Sequence, residues 1–269
     1  MVNHEIGEES RSMERPESTR SATTRHGDAL FGAPWEQRRR ALRRLFEEIE
    51  PRYDRLNRRL SFGLDQHWRR WTARSLRGSP GPWVDLASGT GDLALALAAA
   101  AATEPKPPRL LRSDLSAALL RTGRTKLEER GSDGAPSVAG EMDRLPFRSA
   151  SIGALAQGFA LRHARDLGSF FDECARVVRP GGRIAILDMR YPTRGLGGFV
   201  YRPYFRWVLP RLAALFGADR SAYEFMVDSV RALPPEQVLI DRLGASGFVD
   251  VESTPGFLGA VRLLTARRS

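Results

Sequence analysis

Beyond residue 78 the chain alternates short apolar runs with longer stretches whose apolar residues recur at helical spacing. Runs at Trp83 to Ala87, Arg109 to Ser113, Ser137 to Gly140, Ile152 to Gly158, Arg183 to Asp188, Phe248 to Thr254 and Leu258 to Ala266 predict seven strands. The intervals Asp92 to Ala102, Ala117 to Arg130, Leu167 to Val178 and Pro235 to Ser246 predict helices. Parallel strands need crossover connections, and such crossovers are right-handed, so the pattern predicts an α/β fold: a mostly parallel sheet with helices on both faces. Ligands of such sheets sit at the carboxyl ends of the strands. Ahead of the alternation, Trp35 to Leu76 is helical in period and dense in arginine, and Pro51 is expected to separate a helix ending at Phe46 and Ile49 from an element starting at Tyr53. The stretch 191–233 interrupts the alternation with aromatic and basic residues. One domain is expected over 35–269, with a helical cap over 35–77 and a helical insert over 191–233.

Composition narrows the function classes. With 269 residues, 42% of them hydrophobic, the chain can fill the core of one ordinary α/β domain. Its formal charge of +10 points to an anionic partner: nucleic acid, lipid headgroups or a phosphorylated ligand. The first 34 residues carry four arginines and six acids, without the apolar centre of a secretory signal, and are expected to form a disordered tail. The basic character therefore belongs to the folded part. A single cysteine, Cys174, makes an internal disulfide or a multi-cysteine zinc site impossible and places the chain in a reducing, cytoplasmic setting. The longest apolar run, Leu93 to Ala102, falls short of the roughly 20 residues a bilayer span needs.

The strongest local signal is Asp85-Leu86-Ala87-Ser88-Gly89-Thr90-Gly91-Asp92, a strand end entering a helix through two glycines. Glycine allows the tight turn and lets a ligand lie on bare backbone, while the helix start receives an anionic group. With Ala94 the spacing also fits a dinucleotide loop, and Asp114, 23 residues after Gly91, stands where an acid grips ribose hydroxyls. Asp85 separates the candidates. An acid at the strand end repels a pyrophosphate and attracts an ammonium group, which favours S-adenosylmethionine over a nicotinamide cofactor. A glycine turn serving only helix packing is the bland alternative. Further on, Glu141 could accept from an adenine amino group with Met142 packed on the ring, or the loop Glu141 to Phe147 could be a polar turn anchored by Leu145-Pro146-Phe147.

Several segments together resemble the S-adenosylmethionine-dependent C-methyltransferases of ubiquinone and menaquinone biosynthesis. They are Phe46-Glu47-Glu48-Ile49, Tyr53-Asp54-Arg55-Leu56-Asn57, Leu60-Ser61-Phe62-Gly63-Leu64, Trp68-Arg69-Arg70, the glycine loop, Asp114-Leu115-Ser116, Leu145-Pro146-Phe147, Phe159-Ala160-Leu161-Arg162 and Arg179-Pro180-Gly181-Gly182. The resemblance extends to the end of the chain. It implies a class I methyltransferase fold, Rossmann-like with a seven-stranded sheet, cofactor contacts at Thr90, Asp114, Glu141 and Met142, and a polyprenyl-quinol substrate. Three positions depart from the family: Glu141-Met142 where it usually has Asp or Asn followed by Ala, Gly158 where Ser is frequent, and Arg162-His163 where it has Arg-Asn. The cofactor set is thus Asp85, Gly89, Thr90, Gly91, Asp114, Glu141, Met142 and Gly158.

Methylating a ring carbon needs an electron-rich ring, and a quinol gains nucleophilicity as its hydroxyl loses a proton. Arg162 remains protonated and could hold the developing phenolate, while His163 could accept the proton. Equally, Arg162 could pair with an acid and His163 could merely start a helix. Tyr53, Asp54 and Asn57 are candidates for the acceptor pocket, although Tyr53, Leu56 and Leu60 also share one helix face. No metal is expected. A prenylated substrate stays in the bilayer, so peripheral contact with the inner membrane face is expected, through Tyr201, Tyr204, Phe205, Trp207, Val208 and Leu212 with their flanking arginines and through the arginine-rich cap. A solvated basic surface explains the same charge. The competing functions are methylation of another small aromatic or secondary metabolite, and a non-catalytic scaffold that keeps the cofactor fold; nucleic acid is not expected as a partner, and a homodimer is compatible with the sequence.

Overall fold

The computed structural model describes residues 33–191, 198–199, 203–208, 211 and 227–269. The tail to residue 32, the side chain of Tyr53 and most of the expected insert, including Tyr201 and Leu212, lie outside the described residues. The elements run α1 (Trp35–Leu60), α2 (Leu64–Ser75), β1 (Trp83–Leu86), α3 (Asp92–Ala101), β2 (Leu110–Asp114), α4 (Ala117–Glu128) and β3 (Ser137–Ala139), followed by β4 (Ile152–Gly158), α5 (Leu167–Val177), β5 (Val178–Met189), α6 (Glu236–Ala245), β6 (Phe248–Gly256) and β7 (Val261–Arg268). The seven strands form one sheet in the order β3-β2-β1-β4-β5-β7-β6. β7 runs antiparallel to both neighbours, and the other described pairings are parallel.

Period-2 alternation sorts the strand residues onto two cores. On one face Val84, Leu86, Leu155, Ile184 and Ile186 meet Phe170, Phe171 and Cys174 of α5 and Leu239 and Leu243 of α6. On the other, Trp83, Ala154, Ala156, Ala185 and Leu187 meet Ala73 and Leu76 and, from α3, Leu93 and Leu97. Small strand residues on this second face let the helices carrying the site approach closely. Burial pushes the Cys174 thiol pKa up, which leaves it an inert core residue.

Three element boundaries differ from the sequence reading by three residues or more. The first helix does not break at Pro51 but continues to Leu60, and the chain turns at Phe62 and Gly63, both at positive φ. An interior proline removes one backbone hydrogen bond but does not end the helix here. β5 begins at Val178, five residues before the expected start, because Ile152 pairs with Val178 ahead of a register shift. Leu258 is not in a strand: Phe257–Gly259 forms a 3-10 turn, with Phe257 at φ +40° and Leu258 at φ +53°, and β7 starts at Val261.

Candidate active site

The ends of β1, β2 and β4 open onto a cleft roofed in part by α1. One part of its lining is the glycine loop, from Ala87 to Thr90, together with Asp114. Gly89 lines it at φ +52°, and the position a Cβ would take is open space, so the cradle is bare toward the cleft. Asp114 also lines it, its Oδ2 accepting from the Gly89 N–H at 2.8 Å and its Oδ1 from the Ser116 N–H at 2.8 Å. One carboxylate thus fixes the turns after both β1 and β2. Burial raises the Asp114 pKa, and the Ser116 and Gly89 amides act against that rise.

Asp85 stands beneath this wall rather than in it. The Ser88 hydroxyl, which does line the cleft, donates to Asp85 Oδ2 at 2.8 Å. Asp85 Oδ1 is buried with no hydrogen-bond partner among the described residues. Burial pushes the Asp85 pKa up to about 7, with the Ser88 bond and the Arg69 and Arg112 cations pulling the other way. An orphaned, poorly solvated acceptor behind a bare glycine turn fits a cationic ligand group held from above, so the donor set matches S-adenosylmethionine. Gly91, at φ +83°, does not line the cleft; its missing side chain makes room for Leu127, whose Cδ1 would stand 2.8 Å from a Cβ. Thr90, Glu141, Met142 and Gly158 all line the cleft.

Helix α1 ties the loops of several strands together. Trp35 Nε1 donates to Glu141 Oε2 at 3.2 Å, Arg38 Nη2 to the Arg162 carbonyl at 3.2 Å, and Ser116 Oγ to Glu47 Oε1 at 2.6 Å. Asp54 closes the set, accepting from Thr90 Oγ1 and from Lys126 Nζ, each at 2.6 Å. Lys126 also bonds Asp92. Although burial alone would raise the Asp92 pKa, the Arg69, Lys126 and Arg58 cations hold it below the usual carboxylate range. Asp54 therefore clamps the cap to the glycine loop, and neither it nor Asn57 lines the cleft.

Another part of the lining carries aromatic rings. Phe46, Phe159 and His163 stand there, His163 edge-on to Phe46 with ring centroids 5.3 Å apart. Burial, then the Arg162 and Arg38 cations, holds the His163 pKa well below 6.5, so the imidazole is neutral. Arg162 is not a lining residue: its guanidinium is buried against Asp188, Nη1 to Oδ1 at 2.9 Å, and of its two readings the structural pair is the one observed. Arg69 lines the cleft beside these rings, its guanidinium 5.2 Å from the Phe159 ring centroid, and Arg43 and Arg165 line the cleft as well. The sequence did carry a signal for Arg69. It stands four residues after Asp65, a helical ion-pair spacing, and the two groups lie 3.7 Å apart.

Comparison with known proteins settles the family. The model of the ubiE/COQ5 methyltransferase family matches residues 35–265. The chain belongs to the ubiE/COQ5 methyltransferase family. Membership makes it an S-adenosylmethionine-dependent methyltransferase. It is 38% identical to the demethylmenaquinone methyltransferase of Thermus thermophilus over 206 residues, 76% of this chain and 91% of that one. It is 36% identical to the ubiquinone/menaquinone biosynthesis C-methyltransferase of Syntrophotalea carbinolica over 229 residues, 84% and 94% of the two chains. Among solved structures, a possible histamine N-methyltransferase from Thermotoga maritima superimposes with a TM-score of 0.56 at 14% identity, covering 84% of this chain and 99% of that one. A Haemonchus contortus phosphoethanolamine N-methyltransferase, solved with S-adenosyl-L-methionine, gives 0.53 at 11% identity, covering 74% and 52%. These two show the fold.

Proposed function

We propose that this chain transfers a methyl group to a ring carbon of a polyprenyl quinol of the demethylmenaquinol class, at a membrane surface. The supporting observation is that one cleft joins two unlike walls: Gly89 and Asp114 on the cofactor side, Phe46, Phe159, Arg69 and His163 on the acceptor side. When bound, S-adenosylmethionine supplies an electrophilic methyl group on a positively charged sulfur. Gly89, Ser88, Thr90 and Asp114 would hold it, with Asp85 acting through Ser88. The flat quinol ring suits the space between Phe46 and Phe159, where ring contacts add to apolar burial. Arg69 sets a fixed positive charge beside that space, suited to a quinol oxygen as it gains negative charge. Holding the ring carbon in line at roughly 3 Å from the methyl group supplies much of the acceleration, and α1 excludes water.

A neutral imidazole of depressed pKa is too weak to ionise a phenol outright. The ring C–H proton is a better match, because it becomes strongly acidic once that carbon has bonded the methyl group. His163 is assigned this proton. Membrane contact is supported by the exposed Phe62, Trp207 and Val208 beside Arg58, Arg59 and Arg211, the last with its guanidinium 5.7 Å from the Trp207 ring centroid. Among the described residues no helix is long and apolar enough to cross a membrane.

Quinone profiling by mass spectrometry after gene deletion tests the function. The expected pool is lighter by one methyl group and is restored by the wild-type gene; a quinone pool of unchanged mass, with some other aromatic metabolite demethylated, would reject a quinol acceptor.

A further inference from the structure

Phe159, on the acceptor wall, stands 6.3 Å from Trp68 between ring centroids, and Trp68 stands 6.2 Å from Phe257. Phe159 and Trp68 are only partly buried, and the series ends at the surface, with Phe257 50% exposed and Leu258 53% exposed. A series of ring contacts therefore runs from the cleft lining at Phe159 to the outside of the molecule. We propose that this series binds the isoprenoid tail of the acceptor and that the Phe257–Gly259 turn is where the tail passes into the bilayer. The inference rests on the quinol reading above and adds to it a tail subsite.

The backbone supports it independently. Eight non-glycine residues among those described have positive φ; four are large and apolar, and three of those four are Phe159 (+61°), Phe257 (+40°) and Leu258 (+53°). Large side chains avoid this region, and outliers of this kind persist where surrounding structure holds them for a purpose. The turn is firmly held. Gly256 presses on Trp71, where a Cβ would lie 2.9 Å from Cζ3, and Ala260 N–H closes the turn on the Phe257 carbonyl at 3.1 Å. Two apolar side chains are thus displayed outward on a fixed base. Lipid is a better partner for that display than a second copy of the chain, because a net charge of +10 opposes self-association and attracts anionic headgroups.

Leu258→Asn provides the test, since asparagine tolerates positive φ and removes the apolar display without straining the turn. Kinetics with a prenylated quinol and its tailless analogue in detergent should show the prenylated-to-tailless ratio of kcat/KM falling at least fivefold in the variant, with a melting temperature equal to or above wild type. Phe257→Ser should lower the ratio further. Equilibrium binding of a prenylated quinone, read by tryptophan quenching, should weaken in parallel and reports on the subsite even where no methyl transfer occurs. An unchanged ratio with unchanged quinone binding overturns the tail subsite while leaving quinol methylation standing. Loss of a wild-type dimer in Leu258→Asn, read by sedimentation, overturns it in favour of a self-association surface. Tail-dependent binding without methylation of any quinol keeps the subsite and rejects the proposed reaction.

Discussion

The two walls of the cleft are built by different means. On the cofactor wall, position comes from backbone: Asp114 accepts from two amides, Gly89 leaves its turn bare, and Asp85 reaches the surface through one hydroxyl. All of this hangs from the buried ends of β1 and β2, so the sheet's topology nearly dictates where a nucleoside can lie. On the acceptor wall, position comes from side chains on α1, α2 and the loop after β4, held by ring packing as with Phe46 against His163 and Arg69 over Phe159. Packing of this kind can be re-cut by one substitution without moving the sheet. A fixed cofactor seat beside an adjustable acceptor wall lets one fold serve different methyl acceptors.

If the walls have these separate roles, damage to them falls on different constants. His163→Asn should lower kcat by about a hundredfold, with the loss in turnover rather than in cofactor Kd, as steady-state kinetics and calorimetry would show; kcat within threefold and an unchanged pH profile would remove the proton-acceptor role. Because the His163 pKa lies well below 6.5, wild-type kcat should stay level as pH falls through 6.5. Asp114→Ala should do the reverse, weakening the product S-adenosylhomocysteine by roughly 50-fold as charge-assisted bonds and a loop tie are lost.

Asp85→Asn sharpens the difference through pH. The folded carboxyl titrates near 7 against an ordinary value of 3.8, so its contribution to stability is present below 3.8 and is lost as pH rises through about 7. The neutral variant lacks that loss. At pH 8 its unliganded form should melt about 4 °C higher than wild type, while binding S-adenosylmethionine roughly tenfold more weakly. Wild-type affinity should rise with pH across the same window, since the ionised carboxylate attracts the ligand's ammonium group; a flat profile would detach Asp85 from cofactor binding. The smallest effect concerns the clamp between cap and loop. Lys126→Met should raise KM for S-adenosylmethionine by about threefold, and a double-mutant cycle with Asp54→Asn should give a coupling of about 1 kcal/mol, modest because the pair is partly solvated.

The same contrast explains what the sequence made legible. The seven strands, the helices between them and the glycine loop were readable because period-2 and helical patterns track burial on a two-faced sheet. Asp114 was placed by its spacing from Gly91, a distance set by one strand-helix-strand unit. The acceptor side was less readable, since its members converge from separate elements. Arg162 was left between two readings because nothing in the local sequence shows that Asp188, 26 residues on, is the acid that takes its charge. Asp54 looked like a pocket residue because Lys126, 72 residues away, is invisible from α1. Leu258 continued an apolar run, and only the structure shows that it leaves the strand, at a left-handed φ, and is exposed.

The central claim is that one cleft seats the methyl donor on its backbone wall and a quinol ring on its aromatic wall. Incubating purified protein with methyl-labelled S-adenosylmethionine and a prenylated demethylated naphthoquinol in detergent, then locating the label by mass spectrometry and NMR, tests it most directly. The account predicts one labelled methyl group on a ring carbon of the quinol. Folded protein that binds the donor yet leaves the ring unlabelled, or labels an oxygen instead, would contradict it.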